Sequence, residues 1–98
     1  MNKRFKEIYD VIFSFKYSDE NFLELISLVK EAKKIAESID PNRLNYPCLN
    51  NIVQTYNKQV KSMLEKGISE EERKYRFEEA LKNFRADLSM FCIESFDP

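Results

Sequence analysis

The side chains that most often do chemistry are scarce in this chain. It has no histidine, so the commonest general base and the commonest metal ligand are both missing. Serine–histidine and cysteine–histidine nucleophilic systems cannot be assembled within one copy. The Glu-x-x-His pairs of di-iron bundles are absent as well. Zinc would find two cysteines, Cys48 and Cys92, and otherwise only carboxylates, a poor ligand set. Gly67 is the single glycine, so there is no phosphate-cradling loop. No catalytic residue, cofactor or metal is expected, and an enzyme is disfavoured.

Carboxylates remain as candidates for acid–base work or magnesium binding. They cluster as Glu70, Glu71 and Glu72 and again as Glu78 and Glu79. Arg73, Lys74, Arg76 and Lys82 stand among them, and the first three begin a helix, where acids favour the positive end of the dipole. A solvated, self-paired face is the simpler reading. Glu70–Lys74, Glu72–Arg76 and Glu78–Lys82 are i, i+4 pairs in the favourable orientation, each worth roughly a few tenths of a kcal/mol. The cysteines are too few for a disulfide scaffold. Cys92 falls about 7 Å along the axis from the point opposite Cys48, so two reduced, half-buried thiols are expected.

The segment 41–64 is unusual in containing no Asp or Glu. It holds five asparagines (Asn42, Asn45, Asn50, Asn51, Asn57), two glutamines (Gln54, Gln59) and two tyrosines (Tyr46, Tyr56), with Arg43, Lys58 and Lys61. Amides beside a few cations make a surface that donates and accepts hydrogen bonds at low desolvation cost. Asn50, Asn51, Gln54, Lys58 and Lys61 are the polar candidates for a partner-binding face. A second, apolar candidate lies behind the last helix at Tyr75, Ala86, Met90 and Ile93, with Phe96 following. Ordinary solvation of the amides and internal packing of the apolar set are the competing readings.

These residues need elements to hold them. Phe5, Ile8, Tyr9, Ile12 and Phe15 recur at helical spacing and predict a first helix over Asn2–Phe15, with Val11 and Phe13 widening its stripe. Ser18 is a candidate N-cap for a second helix ending near Ile39, with Asp19 and Glu20 in its first turn. Phe22, Leu25, Ile26, Leu28, Val29, Ala32, Ile35, Ala36 and Ile39 share its inner face, with Leu23 off it. Asp40-Pro41 closes it, and 41–47 is the one long connection. Pro47 suits the first position of a third helix whose stripe is Leu49, Ile52, Val53, Tyr56, Val60, Met63 and Leu64. Gly67 fits the left-handed position just past that helix. Ser69 and Glu72 form a capping box that opens a fourth helix, Glu70 to about Glu94. Phe77, Ala80, Leu81, Phe84, Leu88 and Phe91 are its inner residues.

Four amphipathic helices with mostly short connections predict an all-α, antiparallel four-helix bundle in a single domain of 98 residues. A three-helix core with the first helix docked across it is the alternative. Net charge is −1 and the pI about 5.6, against broad coating of nucleic acid. No stretch approaches the roughly 18 apolar residues of a membrane span. Lys6, Glu7 and Asp10 interrupt any signal-like apolar run, so a cytoplasmic location is expected. By elimination, the leading expectation is a protein-binding module: an inhibitor, immunity factor, adaptor or assembly subunit. A second copy of the chain is a further candidate partner. The alternative is a nucleic-acid-associated subunit using Arg43, Lys58 and Lys61 with Tyr46 or Tyr56 as a stacking platform.

Overall fold

A computed structural model describes residues 3–42 and 46–94, with side chains through Met90. The described residues contain helices and turns and no strand. Helix α1 spans Lys3–Ile12 and α2 spans Asp19–Ile39. A third rod comprises α3, Pro47–Gln54, a π-helical stretch Thr55–Val60, and a last α turn, α4, Lys61–Met63. Helix α5 spans Glu70–Glu94.

Cross-contacts set the directions. Asn51 reaches Asp87, while Arg76 donates to the carbonyl of Ser62 at 2.7 Å, so the third rod runs antiparallel to α5. Arg85 bonds the carbonyl of Ile12, and Tyr17 packs edge-on to Phe77 at 5.4 Å, so α1 also descends against α5. Helix α2 starts beside the start of α5, where the Arg73 guanidinium lies over the Phe22 ring, and rises to meet α1 through the Arg4–Glu31 ion pair. The result is an antiparallel four-helix bundle. Its centre is Phe5, Ile8, Leu25, Ile52, Phe77 and Phe84, all fully buried.

Local sequence accounts for most helix ends. Ser18 Oγ accepts from the Asn21 N–H at 3.0 Å, as an N-cap should. Asp40, 2% exposed, accepts from the Tyr46 N–H at 3.1 Å and ties down the connection after α2. Pro47 opens α3.

Four expectations are corrected. Helix α1 stops at Ile12 rather than Phe15, because Arg85 takes the Ile12 and Phe13 carbonyls at 2.7 and 2.6 Å and Phe15 N–H closes a turn onto Ile12. The third rod ends at Met63, leaving Leu64 55% exposed, with Ile39 also at the surface. Gly67 has φ +85°, but it sits within a longer turn and not directly behind the helix. Only half of the capping box forms: Glu72 N–H donates to Ser69 Oγ at 3.1 Å, while the Glu72 carboxylate turns to Arg76.

Candidate functional site

The π-helical stretch changes which side chains the third rod presents. Its widened hydrogen bonding shows where the Lys61 N–H donates to the Tyr56 carbonyl, five residues back. The extra residue in the turn brings Thr55 inside, 6% exposed, and swings Tyr56 toward the edge of the core. There the ammonium groups of Lys33 and Lys61 lie 5.0 and 5.9 Å from the Tyr56 ring centre.

Beside this stretch, the third rod and α5 enclose a polar groove of about 320 Å³. Asn51, Gln54, Lys58 and Gln59 form one wall, with Asn83 and Asp87 opposite. Gln59 Oε1 is buried and has no hydrogen-bond partner, an orphaned acceptor that calls for water or a ligand donor. Burial pushes the Asp87 carboxyl up to about 6, and the hydrogen bond from Asn51 pulls the other way. Donors, acceptors and a carboxyl that titrates near neutrality thus share one open cleft. Such a set can bind polar groups; it holds no nucleophile–base pair.

Of the five polar candidates, the structure gathers Asn51, Gln54 and Lys58 in this groove. Lys61 belongs to the α2 side, over Tyr56. Asn50 is half-buried near the start of α3, its N–H turned to the Tyr46 carbonyl. In the apolar set, Tyr75 and Met90 are 60% and 50% exposed, and Ala86 lines the groove. The side chain of Ile93 and all of Phe96 lie outside the described residues. Sequence reasoning missed Asn83 and Asp87. Their signal was present: Asp87 is i+3 from Phe84, at the margin of the apolar stripe, and Asn83 is one turn before it.

A second groove, about 500 Å³, lies where the α1–α2 loop crosses α5. Lys16, Lys74, Lys82 and Arg85 surround it, against the single carboxylate Glu78. The expected Glu70–Lys74 and Glu78–Lys82 pairs do not form; Glu72–Arg76 does, at 3.0 Å. Exposed pairs of this kind gain too little to hold two long side chains in one geometry. Arg76 also holds Glu65 at 3.1 Å, and both partners raise its pKa, Glu72 the more.

No group of three or more His, Cys, Asp or Glu residues among those described gathers as a metal site. No described helix is long and apolar enough to cross a membrane. Cys48 is buried at 3% exposure, deeper than the half-buried thiol expected, and the Cys92 side chain lies outside the described residues. Comparison with protein-family models, curated proteins and solved structures finds no match for this chain.

Proposed function

We propose that this chain acts by stoichiometric association with a protein partner, as an inhibitor, immunity factor, adaptor or assembly subunit, and that the amide groove is the face it uses. The observation that carries the reading is the open groove lined by Asn51, Gln54, Lys58, Gln59, Asn83 and Asp87, which gathers side-chain amides from two elements on one face. A partner's backbone offers the matching alternation of N–H and C=O groups. Tyr75 and Met90 supply exposed apolar area on the same helix, α5.

The nucleic-acid alternative draws less support. Lys58 is the only cation that lines the groove, and the Tyr56 ring expected to stack on bases lies outside it, beside Lys33 and Lys61.

Affinity capture of the tagged chain from its own cell lysate, with and without nuclease and at low and high salt, tests the reading. A protein retained in near-equal amount through nuclease and high salt, and lost from the Gln54→Ala/Lys58→Glu double variant, is the expected result. Lys61→Glu should retain it. Recovery abolished by nuclease, or a double variant that captures as well as the parent, would contradict the proposal.

A further inference from the structure

The second groove carries charge that the rest of the molecule does not answer. Lys16, Lys74 and Lys82 make no ion pair among the described residues. Arg85 spends its donors on two uncharged carbonyls, those of Ile12 and Phe13. Four cations therefore face one carboxylate in a chain whose net charge is −1. A cleft lined by one sign of charge, with low-dielectric walls, focuses the field and raises the local concentration of the opposite charge. The walls here are apolar: Phe15 and Tyr17 come from the loop and Leu81 from α5.

The spacing narrows the occupant. Lys74 and Lys82 are two turns apart on α5, roughly 12 Å along its axis. A single small anion cannot bridge them. An extended peptide rises about 3.3 Å per residue and turns every second side chain to one face, so acids at positions i and i+4 match the two lysines. The residue at i+2 then falls over Glu78, midway between the two lysines, where an uncharged side chain avoids like-charge repulsion and the Phe15 and Tyr17 rings line the same groove. We infer that this groove binds an extended acidic segment of a protein, patterned acid, apolar, acid at alternate positions. This face is separate from the amide groove and stands or falls without it.

A nucleic-acid strand fits less well. Phe77 is fully buried, and Tyr17 already packs edge-on against Phe77 and Phe22, so little flat ring surface is offered to a base. Glu78, midway between Lys74 and Lys82, repels a strand that carries a charge on every unit, whereas a peptide with acids four residues apart places an uncharged residue there.

The test is a titration of the isotope-labelled full chain, followed by amide chemical shifts, with the blocked peptide Ala-Glu-Ala-Phe-Ala-Glu-Ala. Saturable shifts centred on 15–17 and 74–85 are expected, with affinity about tenfold lower for Lys74→Glu/Lys82→Glu. Both lysines are exposed and glutamate is a good helix former, so the variant should keep its helix content, checked by circular dichroism. Lys34→Glu, an equal charge change at an exposed site on α2, should leave binding unchanged. The proposal is overturned by shifts scattered over the surface, by equal binding of the peptide with lysine in place of glutamate, or by an unaffected double variant. Tighter binding of a short oligothymidylate to the same residues would overturn it in favour of phosphate recognition.

Discussion

Asp87 sits where the fold works against its charge. Burial holds its pKa at about 6 instead of the usual 3.8. Between those values the folded chain takes up a proton that the unfolded chain does not. The resulting stabilisation is complete below about 3.8 and is lost as pH rises through about 6. It amounts to at most about 3 kcal/mol, less what the solvent reaching this half-buried carboxyl screens. Asp87→Asn keeps the shape and the acceptor for Asn51 but removes the titration. Thermal melts should show the variant a few degrees above the parent at neutral pH, with the gap closing below about pH 4. Equal melting temperatures throughout would place the carboxylate in water. Gly67 makes a second residue-scale case. A Cβ there would meet nothing within 4 Å, yet φ is +85°. Gly67→Ala should therefore cost about 1 kcal/mol through backbone strain alone, and Gly67→Asn less, measured by urea unfolding. The need for a left-handed residue was legible in the sequence. The pKa of Asp87 was not, since the burial that raises it comes from packing α5 against a rod distant in sequence.

Among the elements, α1 has its C-terminal end tied down by one side chain. It has 10 residues, short for an isolated helix, and Arg85 binds its last carbonyls. Arg85→Gln should destabilise the fold by about 1–3 kcal/mol. Amide exchange should quicken in α1 well before α2 or α5; uniform acceleration would mean that α1 is held by its apolar face alone. Apolar spacing and capping residues located α2 and α5 closely, because both use ordinary helical hydrogen bonding from a recognisable first turn. The third rod was read as one regular helix, and its π-helical stretch was not legible. Leu49, Ile52, Val53, Tyr56, Val60 and Met63 suit an unbroken α-helix, and the widened turn arises where that rod packs between α2 and α5.

At the scale of the whole molecule, stability rests on a few large side chains. Phe77 and Phe84 are fully buried where α1, α2 and the third rod meet α5. Phe84→Ala should cost about 3–5 kcal/mol, close to the entire stability of many small domains. Met90→Ser, at a half-exposed position, should change the urea midpoint little; a loss as large as that of Phe84→Ala would reveal Met90 as core. The bundle was legible because amphipathic helices joined by short connections cover their apolar stripes by folding back on one another. The cationic groove was not. It forms from a loop and a helix distant in sequence, on a chain whose overall charge is nearly zero. The widened turn at Thr55–Val60 has a further consequence, for tolerance to changes in chain length. Its six residues sweep about the same angle as five of an α-helix. Removing one of them would restore regular pairing and leave Met63 in phase with the core, whereas a deletion elsewhere in the rod would rotate everything beyond it. The same deletion would re-aim the side chains within the stretch that line the groove, Thr55, Lys58 and Gln59. Loss of a single residue at this point would therefore reshape one surface groove while leaving the architecture standing, so the rod tolerates a change of length here that it would not tolerate elsewhere.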